Sequence, residues 1–147
     1  VCAGVLVGTP APLDLDLERR LQTCLREAIG TGLLRSAHDC GDGGAATAGA
    51  ECALAGNIGA VIDPDHGPAG ADRAAEELFG EGAARVIVSV APDAAADLAV
   101  LAGRHGVPLK RLGLVGGDVL TWTNHFRVGL DQLREAWGGA LDGLTRS

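Results

Sequence analysis

The sequence predicts an α+β fold, with helices layered on a mixed β-sheet, in one domain of 147 residues. Three observations carry that expectation. The run Asp14–Ile29 places Leu17, Leu21, Cys24, Leu25 and Ala28 on one face at helical spacing. Arg85-Val86-Ile87-Val88-Ser89-Val90 is a continuous β-branched stretch, the mark of a central strand. Helical and strand-like stretches alternate imperfectly, and Gly116-Gly117-Asp118 reads as the tight turn of a hairpin. A chain of this length suits a single domain and buries roughly 70% of its unfolded surface.

In order, Val1–Val7 reads as a short strand stopped by Thr9-Pro10-Ala11-Pro12, because proline pairs poorly in a ladder. The first helix opens on Asp14, Asp16 and Glu18, where the helix dipole favours negative charge, and Gly30 and Gly32 end it. Leu33–His38 is a short apolar approach to a small-residue helix at Ala45–Ala55. Gly59–Ile62 is a strand, Asp63–Gly70 a polar loop, and Ala71–Phe79 a helix. After the Arg85–Val90 strand, Pro92 and Asp93 start a helix that runs to about Arg104 and closes at His105-Gly106. Leu109–Val115 and Val119–Arg127 form the expected hairpin, and Leu130–Leu144 is a closing amphipathic helix.

Composition excludes several classes of function. The net charge is -7, Lys110 is the single lysine, and the arginines form no run. A nucleic-acid surface needs clustered cations, as does adhesion to an acidic membrane surface, so neither partner is expected. No apolar run approaches the ~20 residues of a membrane span. Cys2, Cys24, Cys40 and Cys52 form no C-x-x-C pair, which predicts reduced thiols in a cytoplasmic protein. The chain opens at Val1 in mid-phrase and holds no methionine, which predicts a piece of a longer multidomain chain.

The densest chemistry lies in Ser36-Ala37-His38-Asp39-Cys40-Gly41-Asp42-Gly43-Gly44. Asp42 stands where a carboxylate caps the following helix. Gly43 and Gly44 leave the first turn bare, so that a backbone or a phosphate can approach its amides. With two aspartates and no lysine here, a phosphate needs a divalent cation in between, and Asp39 is the natural oxygen ligand for Mg²⁺. His38 reads as a packed, hydrogen-bonded histidine. A zinc site from His38, Cys40, Cys52 and His66 has no recognised spacing, and a Cys40–His38 nucleophile pair lacks a third, orienting group. In the second segment of interest, Glu81 and Arg85 flank a loop with no hydroxyl or amide side chain. They form an ion pair or face a polar ligand.

Five segments in order resemble one family. "HDCGDGGAATAGAECALAG" is similar to H-D-x-S-D-G-G-L-x-x-x-x-A-E-x-x-x-A-G, and "LFGEGAARVIVSV" to L-F-[GS]-E-S-x-x-R-x-x-V-x-V. "RLGLVGGDVL" is similar to I-G-x-V-G-G-x-x-L. The helix before the motif and the closing L-R-x-x-W helix match as well. The pattern resembles the last domain of the large subunit of phosphoribosylformylglycinamidine (FGAM) synthase, the PurL family. The resemblance implies an AIR synthase-related, PurM C-terminal domain-like fold. It also implies membership in an ATP-dependent ligase of purine biosynthesis. ATP activates the amide oxygen of formylglycinamide ribonucleotide, and ammonia from glutamine displaces the phosphate. The implied partners are the remaining domains of the same subunit, a glutaminase subunit and a small bridging subunit.

The resemblance also implies that no catalytic residue lies in this chain, because the reacting groups belong to the family's first half. The auxiliary nucleotide site of the second half would use Mg²⁺ and ATP or ADP. Its carried-over residues are Asp39 as the metal ligand with Gly41, Gly43, Gly44, Glu81 and Arg85 around the nucleotide. Two family serines are Gly41 and Gly82 here, and Ala83 follows. Both are lost polar contacts, which favours a scaffold role. The other readings are a domain of a different AIR synthase superfamily member, such as AIR synthase, thiamine-phosphate kinase, selenophosphate synthetase or a hydrogenase-maturation protein, and a stand-alone module. Such a module either binds a phosphorylated ligand or self-associates through an open apolar face.

Overall fold

The computed structural model describes residues 13–63 and 71–142. The strand expected at Val1–Val7 and nearly all of the Asp63–Gly70 loop lie outside them. Helix α1 is Leu15–Gly30. The Asp14 carboxylate caps it, accepting from the Asp16 and Leu17 amides at 3.0 and 2.9 Å. Gly32, at φ 71°, turns the chain out of it. Strand β1 is Leu34–Asp39, α2 is Gly44–Gly56, β2 is Ala60–Ile62, α3 is Ala71–Phe79 and β3 is Val86–Val90. A 3₁₀ turn at Pro92–Ala94 leads into α4, Ala95–His105, which closes on the left-handed Gly106. Strands β4 (Gly113–Val115), β5 (Val119–Trp122) and β6 (Phe126–Gly129) precede α5, Leu130–Asp142.

The strands form two sheets. β1 pairs antiparallel with β3, and the second sheet runs β4-β2-β5-β6 with β2 and β5 parallel. Helices α1 and α4 cover one face of the β1–β3 pair, burying Cys24, Ala28, Leu98, Leu101 and Ala102 against Leu34, Val88 and Val90. Helix α2 packs on β1 and β3 and also meets the second sheet, where Ala45, Ala46 and Ala48 join Ile62, Leu120 and Trp122 in one core. Where α2 is pressed between the two sheets, at Ala45, Ala46, Ala48 and Gly49, there is no room for long side chains, and those positions are alanine and glycine. The α+β expectation therefore holds.

Among the described residues β3 pairs with β1, and its apolar run is half-buried between helices on the two faces of that pair. Two local expectations do not hold. The Leu109–Val115/Val119–Arg127 hairpin does not form, since β2 lies between β4 and β5. The glycine turn instead straddles the start of β2, with the Gly59 amide donating to Gly117 and the Gly116 amide to Gly59, both at 2.8 Å. Val119–Arg127 is in turn two strands, bent at Thr123–His125 with Asn124 at φ 65°. The real hairpin is β5–β6.

The α1–α4 contact is fastened by charge. His105 Nε2 lies 2.8 Å from Glu27 Oε2, and Arg104 Nη2 donates to Glu27 Oε1 at 2.5 Å. These two hydrogen bonds, His105 first, hold the Glu27 carboxyl below its usual value. A carboxylate with a lowered folded pKa adds stability above its unfolded value, near 4.3, and loses it as pH falls through the folded value. Thermal melts from pH 6 downward are expected to show the wild type losing stability below about pH 4.3 more steeply than Glu27→Gln, with the two curves converging at the acid end. Parallel curves would remove Glu27 from the account.

Candidate functional site

Strand β1 delivers the dense motif to the start of α2. The Cys40 amide donates to the Arg85 carbonyl at 2.9 Å, extending the β1–β3 ladder by one bond. The chain then turns sharply, and the Gly44 amide donates to the Gly41 carbonyl at 2.9 Å. Gly43 and Gly44 both have positive φ, 78° and 66°. Gly44 sits against the end of α3: a Cβ there would lie 2.7–2.9 Å from the backbone of Leu78, Phe79 and Gly80. Its missing side chain lets the two helices meet.

The expected Asp42 cap is corrected by this geometry. Gly43 occupies the N-cap position, no side chain caps α2 from it, and Asp42 is exposed. The Gly43 amide donates instead to Glu81 Oε1 at 3.3 Å, across 38 residues of sequence. The left-handed turn through Gly43 carries the preceding carboxylate away from the helix amides. Asp42→Ala is accordingly expected to move stability by no more than about 0.5 kcal/mol in a urea titration, against about 1 kcal/mol for loss of a true cap.

A cleft of about 340 Å³ opens beside the motif, lined by His38, Asp39, Gly41, Asp42, Ala48 and Glu51. His38 is half-buried, with Nε2 2.8 Å from Glu51 Oε2 and Nδ1 2.7 Å from the Asp39 carbonyl oxygen. The expected packed, hydrogen-bonded histidine is thus what stands there. The Asp39 carboxylate is 82% exposed, 3.9 Å from the His38 ring, and open to a ligand. Three carboxylates against one imidazole make this a cleft for cations, or for phosphate only with a cation between. Mg²⁺ fits that chemistry, since it takes one or two carboxylates and completes its shell from water and phosphate. Among the described residues no three His, Cys, Asp or Glu side chains are grouped to hold a metal on protein ligands alone, and His66 is not among them.

The remaining candidates lie behind the cleft. Cys40 is buried and burial pushes its thiol pKa up, so it is neither a Cys–His nucleophile nor a cleft wall. Cys24, Cys40 and Cys52 are free thiols. Arg85 spends its guanidinium on the Gly80 and Glu77 carbonyls, at 3.1 and 3.5 Å, and forms no ion pair with Glu81 among the described residues. Gly82 lies beside it, where a Cβ would meet Arg85 Cδ at 3.3 Å. Of Asp39, Gly41, Gly43, Gly44, Glu81 and Arg85, only Asp39 and Gly41 line the cleft. The other four build the junction of α2, α3 and β3. Sequence reasoning did not single out Glu51 as a site residue. Its signal is its place two turns into α2, the distance that returns a side chain to the end of β1.

The chain matches the model of the AIR synthase related protein, C-terminal domain, over residues 6–122. It belongs to that family. Among curated relatives, a phosphoribosylformylglycinamidine synthase subunit PurL from Thermomicrobium roseum is 44% identical over 94% of this chain and 19% of its own length. Another, from Nocardioides sp., is 44% identical over 96% of this chain and 18% of its own. The chain thus spans about a fifth of the length of the PurL subunits it matches. Three solved Thermotoga maritima structures each align at 25% identity and TM-score 0.66: PurL complexed with FGAR, PurL complexed with ATP, and PurLQS. The first covers 79% of this chain and 20% of that one, the others 88% and 23%. The AIR synthase related C-terminal domain is here of the PurL kind, and its motif cleft lies at the β1–α2 corner.

Proposed function

We propose that this chain is a non-catalytic domain of an FGAM synthase, serving as scaffold and as the wall of an auxiliary nucleotide site. The parent enzyme would be an ATP-dependent C–N ligase of purine biosynthesis working in the cytoplasm. It would convert formylglycinamide ribonucleotide and ATP, with ammonia released from glutamine, into FGAM, ADP and phosphate. The observation that carries the reading is the 44% identity to PurL subunits along nearly the whole chain. A scaffold role is supported by the way Gly43, Gly44, Glu81 and Arg85 are used up in packing and internal hydrogen bonds. The remaining domains of the subunit are the first partners. The PurLQS assembly of a relative supports a glutaminase and a small bridging subunit beyond them.

What nucleotide contact the domain retains runs through Asp39, with Mg²⁺ between its carboxylate and a phosphate, because no lysine or arginine lines the cleft to meet an anion. Calorimetric titration of the chain with ADP is expected to show saturable binding only when Mg²⁺ is present and none in Asp39→Ala. Binding that ignores either change would overturn the assignment. The chain alone is expected to turn over no formylglycinamide ribonucleotide with ATP and ammonia, and any product formed would overturn the non-catalytic reading.

A further inference from the structure

The chain holds four aromatic residues, and three of them, Phe79, Phe126 and Trp137, line one groove of about 320 Å³ between α2, β6 and α5. Leu54 and Leu133 floor it, and Phe79 and Trp137 stand at its rim, 55% and 62% exposed. Aromatic side chains are the usual anchors of interfaces, and a concave apolar patch with two rings at its lip is costly to leave in water. Among the described residues, eleven large apolar side chains are exposed, against seven of that size in the core. On the outer face of the four-stranded sheet, by contrast, Thr121 and Arg127 share the register row of the exposed Val61 and Leu114.

We propose that this groove is the seat of another domain of the same, longer polypeptide, which inserts an apolar element between Phe79 and Trp137. The inference rests on the reading that the chain is one domain of a PurL-like subunit. The relatives it matches carry about four-fifths of their length outside the matched stretch, so a covalently tethered partner is at hand in them. Size favours a tethered occupant. Twelve residues line the groove, against the roughly 20–30 a side of a stable free complex, whereas a domain in the same chain meets it at high effective concentration. Glu51 lines both this groove and the motif cleft. The occupant therefore also stands beside the cleft and completes its wall.

The test uses the full polypeptide that carries this domain, with the photo-crosslinking residue of Trp137→benzoylphenylalanine at the groove's rim. Mass spectrometry of the illuminated protein is expected to find the crosslink to a segment of the same polypeptide outside these 147 residues. A crosslink between two copies, one to a different subunit, or none at all would overturn the proposal. In parallel, Trp137→Glu is expected to speed proteolytic release of the domain about tenfold, while Leu114→Glu on the open sheet face leaves it unchanged. Equal effects of the two would also overturn it. Neither readout depends on nucleotide or turnover. A polypeptide without synthase activity that still crosslinks in cis would sink the functional reading alone.

Discussion

Gly44→Ala is expected to destabilise the domain by about 3 kcal/mol. The estimate combines two costs. At φ 66° an alanine pays on the order of 1 kcal/mol for its Cβ in the left-handed region. The new methyl would also lie 2.7 Å from the Phe79 carbonyl carbon, 2.8 Å from the Leu78 oxygen and 2.9 Å from the Gly80 oxygen. All three are backbone atoms, so relief requires α2 and α3 to separate, an overpacking cost of roughly 1–3 kcal/mol. In a domain of this size that corresponds to a fall in Tm of about 6–12 °C. Gly103→Ala in α4 is the matched control. No atom lies within 4 Å of its Cβ position, and an alanine in a helix gains about 0.5–1 kcal/mol over glycine. The two substitutions should therefore move Tm in opposite directions. Equal, small shifts would mean that Gly44 is not the point where the helices meet. The result bears on function, because a glycine pair before a helix is usually credited to an approaching phosphate. Here packing explains it.

The parts of this fold that were legible in the sequence are those decided within a few residues of chain. Helix α1 shows its apolar stripe and its acidic first turn, α3 shows both its ends, and the Arg85–Val90 run shows a strand. The missed parts depend on residues far apart. Asp42 has the right chemistry for a cap, but the left-handed Gly43 takes the N-cap position, and its amide goes to Glu81, which no local pattern connects to it. His38 read correctly as a hydrogen-bonded histidine, yet its partner Glu51 is set by how α2 folds back on β1. The family resemblance named the right domain, and the nucleotide role it implies for Gly43, Gly44, Glu81 and Arg85 is a question for titration. What the structure adds, and local sequence did not, is that these four also build the junction of α2, α3 and β3.

The second large effect is expected at Gly59, where alanine should cost about 3 kcal/mol or more through the order of the strands. Gly59 precedes β2 and sits beside Val119 in the parallel register that pairs Ala60 with Leu120. A Cβ on it would lie 2.3 Å from the Val119 oxygen and 2.6 Å from its nitrogen. Unlike Gly44 it needs no unusual φ, so the whole penalty is steric. β5 must move away, at an overpacking cost of roughly 1–3 kcal/mol. The bonds from Gly59 to Gly117 and from Gly116 to Gly59 are strained with it, each worth about 1 kcal/mol. The damage should also reach the site. β5 carries Leu120, fully buried, and Trp122, 3% exposed, and both pack under α2, whose Ala48 and Glu51 form one wall of the motif cleft. If β4 and β5 were adjacent, as the glycine turn between them suggests, Gly59 would stand at a free edge and alanine there would be harmless. Urea titration of Gly59→Ala therefore distinguishes the two topologies. A large loss of stability places β2 between β4 and β5, and an unchanged midpoint restores the simple hairpin.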